Sequence, residues 1–417
     1  MKVIQNIRRE ARFVSANRIT RFAWLALALM CLLAISLGQA EISRQTDTID
    51  RALAQSEVEL AEVFDAATDY GGAAYSGFSL TYDSPSDAAF LAIGQRDISP
   101  WMLRVRALAL EGQIHESDNF NPELSLAGRF DYAFVIAFLL PLFIIVLLYD
   151  VYASERDAGR VPMLTATAAR PQRVWLARVL VLSSGTALAC LLPLWLMGSL
   201  FGAGAGDLLV ISGIVLTNVA FWTALVCAIA FGRWAASVNA AVLTGLWLVL
   251  ALLVPLAGKL LIDRAVPGID GAEISLLQRE TVNAAWDLPK SATMEPFYAS
   301  HPEWSHSAPV DVPFHWKWYY AFQQMGDETA EPLSLPYREA IRERDAMTGR
   351  VALLSPPVAV LRAIQSVAET DMRSALVYDQ TIRDYHAQIR HFFYPLLFEE
   401  VAFKRESLEG FPVFNTD

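Results

Sequence analysis

Charge is scarce in this chain: of 417 residues only 18% are Asp, Glu, Lys or Arg, while 54% are hydrophobic. Soluble domains carry roughly 25% charged residues, so the composition points away from a wholly water-exposed fold and towards a membrane. Cysteine is scarcer still. Cys31, Cys190 and Cys227 each fall inside an apolar run, so the polar segments carry no disulfide framework, and no CxxC pair or Cys/His spacing suggests zinc. A phosphate loop of the form GxxxxGK(S/T) is missing: Gly258-Lys259 is followed by Leu260. Neither HExxH nor GxSxG occurs, so no catalytic residue and no cofactor is expected. The net charge of −11 argues against a nucleic-acid partner, which needs concentrated Lys and Arg to neutralise phosphate. Internal repeats and low-complexity tracts are missing too.

What is present is a set of five apolar runs, about Phe22–Ala40, Tyr132–Tyr149, Val174–Phe201, Leu208–Phe231 and Val238–Ile262. Each approaches or exceeds the ~20 residues that cross a bilayer as a helix. Their interiors lack Asp, Glu and Lys, apart from Lys259 near one end, which can snorkel; Arg178 just inside the third run can do the same. Pro141, Pro193 and Pro255 lie inside runs, a placement transmembrane helices tolerate when a neighbour satisfies the freed carbonyl. Basic residues set the orientation. Lys2, Arg8, Arg9, Arg12, Arg18 and Arg21 precede the first run against the single acid Glu10, five arginines lie between Arg156 and Arg178, and Arg233 sits between the fourth and fifth runs. All three groups fall on one side, which is therefore expected to be cytoplasmic. The N-terminal pattern also resembles a cleavable signal peptide, with Gly38-Gln39-Ala40 before Glu41, although its basic region is long for one.

The expected fold class is therefore all-α: a polytopic membrane protein with five transmembrane helices and two mostly helical extracytoplasmic domains. Residues 1–21 form a cytoplasmic segment, 22–40 the first span, 41–131 an outer domain, 132–149 the second span and 150–173 a cytoplasmic loop. Three further spans occupy 174–262, and a second outer domain covers 263–417. A helix is expected over Ser43 to Ala67, and two more over Pro336–Met347 and Pro357–Phe393, the last starting after Ser355-Pro356-Pro357.

The loop from Tyr152 to Arg178 opens with charge, holds small residues in its middle and closes with Arg170 and Arg173. Taken alone it reads as an ordinary positive-inside loop. Its Glu155, Arg156, Asp157 and Gly159, then Leu164 and Arg173, match a Glu-Arg-Glu-x-Gly-Thr stretch followed by a Leu run, a Pro and an Arg. In this the chain resembles the permeases of the second exporter class of ATP-binding-cassette (ABC) transporters. Residues 129–142 resemble that family's second span. Gln95-Arg-Asp-Ile-Ser-Pro100 and Leu354-Ser-Pro356 look like a subgroup with large extracytoplasmic domains of unknown role. The resemblance implies an inner-membrane permease whose loop 150–173 docks as a coupling helix on a separate ABC ATPase subunit. Glu155, Arg156, Gly159, Leu164, Arg170 and Arg173 are the implied coupling residues. It also implies pairing with a second copy or a sister permease, alongside contact with membrane lipid. Arg160 in place of Thr, Ala168 in place of Pro and Ala177-Arg178 in place of Gly-Lys depart from the pattern and bear on the details of the contact. Six spans are usual in that family. Phe392–Phe398 is too short to supply the sixth, so either the chain ends outside or a final helix lies beyond this sequence.

Two other functions fit the residues. One is a non-transporting membrane subunit that transmits ATPase motion to an extracytoplasmic partner. The other is a membrane-anchored metal-binding factor, resting on His301, His306, Asp311 and His315; their spacing matches no ligand template and Pro302, Pro309 and Pro313 interrupt them. The aromatic stretch Phe314–Phe322 suits either a membrane-interface belt or the core of an outer domain.

Overall fold

The computed structural model describes residues 2–115, 129–167, 172–266 and 270–415. Among the described residues the chain is all-α apart from one two-stranded antiparallel ribbon, which pairs Ser79–Tyr82 with Met102–Val105. Five helices among the described residues are long and apolar enough to cross a membrane: Arg18–Ala66, Tyr132–Asp157, Gln172–Leu200, Ala205–Ala230 and Ala236–Ala265, here spans 1 to 5. By these helices the chain is a membrane protein.

Spans 1 to 4 share one apolar core, with Leu27, Cys31, Ile144, Cys190, Val215 and Trp222 buried in it. Span 1 lies along span 3, joined by the Trp24 indole donating to the Thr186 hydroxyl at 3.3 Å. The N-terminal helix Lys2–Ala16 packs on span 3 as well. Span 5 is the peripheral one: only 11% of its apolar window is buried, against 33–56% for the others.

Span 1 differs from expectation. The apolar run and the polar helix after it form one uninterrupted helix of 49 residues, about 73 Å long at roughly 1.5 Å per residue. Gly38 and Ser43 stand at the junction but neither ends nor caps the helix, so the apolar-to-polar change is a change of surroundings, not of conformation. Leaving the bundle, the helix enters a polar unit. There Arg96 Nε donates to Gln45 Oε1 at 3.0 Å and Phe64 packs edge-on against Phe411 at 5.2 Å.

The two polar segments, expected as separate domains, instead share a single core. Tyr70, Val105 and Leu108 from the first pack with Phe297, Tyr320, Phe393 and Phe414 from the second. Buried charge joins them further. Arg383 pairs with Glu111 at 2.6 Å, and Asp327 meets Arg390 at 2.8 Å while accepting from the amides of Leu110 and Glu111. The helix expected at Pro336–Met347 runs from Trp316 to Ala352 and contains Pro332 and Pro336. Burial of Trp318, Tyr320 and Phe322 against the common core outweighs the roughly 3 kcal/mol that an interior proline costs. The aromatic stretch is thus core, not a membrane belt. The helix expected at Pro357–Phe393 is two, Pro356–Val367 and Met372–Phe398. They part at Glu369, whose φ is +53°, where Thr370 donates its hydroxyl to Ala92 O and accepts from Gln95 N.

The prolines in spans 2 and 5 act alike. Each follows a π-helical turn, Val135–Leu139 before Pro141 and Val249–Leu253 before Pro255. Leu140 N bonds Val135 O and Val254 N bonds Val249 O, both i to i−5. Continuing either series requires the N–H that proline lacks, which leaves Ile136 O and Leu250 O without a helical donor. Asn218 of span 4 donates its Nδ2 to Ile136 O at 2.9 Å, and Ser355 donates its hydroxyl to Leu250 O at 2.7 Å. Replacing Asn218 with Ala should lower stability in detergent by about 1 kcal/mol, because a buried acceptor loses its only side-chain donor. In a Pro141→Ala background, which restores the backbone donor, the same replacement should cost measurably less. Equal losses in both backgrounds would show that Asn218 stabilises by packing alone.

Candidate functional site at the basic end of the bundle

Five chain segments converge where spans 2, 3 and 4 end on the basic side. Span 2 turns at Tyr149, whose carbonyl accepts from Asn239 Nδ2 at 3.1 Å, and re-forms as the short helix Ala153–Asp157. That helix closes with paired bonds, Arg160 N to Glu155 O and Gly159 N to Arg156 O, each 2.9 Å. This is a Schellman closure, and the residue at its pivot must be left-handed. Gly159 holds that place with φ +68°, so a side chain there is strained even though a Cβ would meet nothing within 4 Å.

Glu155 is buried and points back into the bundle. It accepts from Arg160 Nε and, at 3.0 Å, from Arg178 Nη1 of span 3. The same guanidinium donates Nε to Glu10 of the N-terminal helix at 3.0 Å, and Glu10 is also paired with Arg9 at 3.3 Å. Arg178 lies over the rings of Phe13 and Trp175, 5.0 and 5.3 Å from their centroids. Trp175 completes an aromatic triangle with Tyr152 and Phe231, with edges of 5.3, 5.7 and 6.2 Å. Arg156 reaches sideways and caps the carbonyls of Gly232 and Trp234 at 3.4 and 2.8 Å, in the turn between spans 4 and 5. The loop is thereby fastened to the N-terminal helix, to span 3 and to the 4–5 turn.

Of the residues singled out from sequence, Glu155, Arg156 and Gly159 are brought together here. Arg173 is half-buried at the start of span 3, and Leu164 lies within the helix Val161–Thr167. Arg170 falls outside the described residues. Glu10 and Arg178 were missed as partners. The signal for Glu10 was its standing as the lone acid among six basic residues; Arg178 reads as a snorkelling cation, whereas it is a largely buried bridge between two carboxylates.

The histidine group in the polar unit is dispersed in function. His301 Nε2 bonds Glu328 at 2.6 Å, His315 caps a helix by accepting from Lys317 N, and His306 and Asp311 are exposed. Among the described residues no three His, Cys, Asp or Glu side chains are placed to hold a metal ion.

Two outcomes follow. Arg178→Ala leaves Glu10 and Glu155 buried without their shared cation, so it should destabilise the detergent-solubilised protein by about 3 kcal/mol. Arg173→Ala, from a half-exposed site, should change stability by less than about 0.5 kcal/mol. Similar losses for the two would refute the bridge. The Glu328 hydrogen bond raises the His301 pKa above its usual 6.5. Its contribution to stability is therefore full below pH 6.5 and is lost as pH rises through the raised value. His301→Gln should flatten that fall while leaving metal content at background. A stoichiometric metal lost with the histidine would establish a metal site instead.

Comparison with known proteins touches only the C-terminal third of the chain. Residues 272–417 match a family model described as a domain of unknown function, DUF3526. No curated protein and no solved structure matches the chain.

Proposed function

We propose that this chain is the membrane-spanning permease subunit of an ABC exporter of the bacterial inner membrane, driven by a separate ATPase and paired with a second copy or a sister permease. The observation that carries the reading is the clamp around Glu155. A coupling element must pass a push on its tip to several spans at once, and this loop is tied by charge and hydrogen bonds to three neighbouring segments. The missing phosphate loop fits an energy source in another subunit. In this reading the basic end faces the cytoplasm, where its arginines meet anionic headgroups, and the polar unit lies outside.

One observation favours the non-transporting alternative in part. Span 1 continues without a break from the bundle into the polar unit, a geometry suited to carrying motion to an outer partner whether or not a solute crosses. Both readings place the ATPase on the same loop.

Glu155→Ala tests it. The variant should insert normally, with a cysteine placed at Ser154 shielded from an impermeant thiol reagent in whole cells and one at exposed Ser305 labelled. It should retain the ATPase at least about tenfold less well on copurification, a loss of roughly 1.4 kcal/mol. Normal insertion with unchanged ATPase binding and stimulation would reduce the loop to a positively charged turn.

A further inference from the structure

The structure assigns a sixth membrane-entering element that no apolar run announces: the turn between helices Trp316–Ala352 and Pro356–Val367 dips beside span 5, and Leu353 and Leu354 at its tip sit in lipid hydrocarbon. The assignment rests on the membrane embedding of the five spans and stands whether or not the chain partners an ATPase.

Depth comes first. The end of helix Trp316–Ala352 descends span 5 in antiparallel fashion: Arg344 bonds Asp263 and Val266 O, Val351 touches Gly258, and Ser355 bonds Leu250 O. The contact at Gly258 is close enough that a Cβ there would lie 2.6 Å from Val351 Cγ1. Leu250 is near the middle of the 30-residue span, about 21 Å from either end at ~1.5 Å per residue. With a hydrocarbon core ~30 Å thick, the tip stands near mid-depth. From there helix Pro356–Val367 climbs back through the bundle. Val360 and Ile364 are buried in the same core as spans 1 to 4, and the helix packs on both π-helical turns.

Backbone chemistry is the second observation, because no water is available there to satisfy an unpaired N–H. The N–H groups of Leu353, Leu354 and Ser355 bond Arg350 O, Val351 O and both Val351 O and Ala352 O. Pro356 and Pro357 have none to satisfy. Val358 N meets the Ser355 hydroxyl and Ala359 N bonds Ser355 O. The backbone donors of Leu353, Leu354, Ser355 and Ala359 are thus satisfied within the chain, and Val358 N stands 3.5 Å from the Ser355 hydroxyl, so the turn meets the demand that hydrocarbon makes on it.

Side chains agree. Leu353 and Leu354 are 85% and 69% exposed, and Leu252, Leu253 and Leu256, close in sequence to the Leu250 that Ser355 bonds, are exposed as well. From Gly349 to Leu361 the only charge is Arg350, beside Val351 and so level with Lys259, where both can snorkel to the interface. Higher up, Arg362 and Asp345 clasp the two arms, with the second of their two bonds at 3.1 Å.

The test uses the full chain in liposomes with Cys31, Cys190 and Cys227 replaced and a nitroxide on Leu354→Cys, Leu252→Cys or Leu335→Cys. Collision with oxygen should dominate over collision with a water-soluble nickel chelate at 354 as at 252, and the ratio should reverse at 335 in the polar unit. A chelate-dominated signal at 354 overturns the assignment in favour of an aqueous turn. Protection from both reagents with spin–spin broadening overturns it in favour of a second copy. Ser355→Ala gives an independent arm. It should lower the melting temperature, and this shift should shrink in a Pro255→Ala background, where the backbone regains its own donor for Leu250 O. An undiminished shift would remove the anchor on which the depth argument depends.

Discussion

Every backbone donor and acceptor in the hydrocarbon must find a partner within the protein, and the architecture of this chain follows from how it meets that demand at its prolines. A regular span satisfies itself. Spans 2 and 5 do not, since Pro141 and Pro255 each interrupt a π-helical series and strand one carbonyl. The missing donors are supplied from other elements: Asn218 from span 4, and Ser355 from the turn between helices Trp316–Ala352 and Pro356–Val367. Each loan fixes a helix–helix relation that apolar packing leaves loose, because lipid tails are as apolar as leucine and give helices little reason to prefer one another. Two polar atoms thus do what a much larger apolar area would be needed to do in water.

The parts of the fold legible in the sequence are those set by local pattern. The five apolar runs are there because length and hydropathy are local properties, and the need for neighbours at Pro141 and Pro255 could be stated because proline's missing N–H is a local fact. Which neighbours answer could not. Asn218 sits in an unremarkable run of apolar residues, and Ser355 looks like the start of a surface helix. The stretch from Val351 to Leu361 is too short and too broken by Pro356-Pro357 to read as a membrane element. In the proposed placement Pro356 and Pro357 bring no N–H to be satisfied, and the Ser355 hydroxyl gives its proton to Leu250 O. The continuity of span 1 past Ala40 was likewise hidden, since a change from apolar to polar residues looks like a boundary whether or not the helix continues.

At the candidate site the same division holds. Glu155 and Gly159 stand in a recognisable spacing, and Gly159 occupies the left-handed pivot that such a closing turn requires. Burial of Glu155, and the choice of Arg178 and Glu10 as its partners, depends on how the N-terminal helix lies across span 3, a relation among residues far apart in the chain. An arginine near a span end has two outlets, snorkelling to water or pairing inward. Arg178 takes the second, since two carboxylates and two aromatic faces surround it.

These two sets of ties meet in span 4. Its last residues and the following turn hold Phe231, against the loop's Tyr152, and Gly232, whose carbonyl Arg156 caps. Asn218, three turns earlier, holds the π-helical turn of span 2, on which helix Pro356–Val367 packs. These hydrogen bonds, ring contacts and packing contacts join the loop to helix Pro356–Val367 by a route separate from the long helix of span 1. In the proposed reading a push on the loop has both routes open to it, and the π-helical turns, where the helical bonding is already interrupted, are the joints of the second.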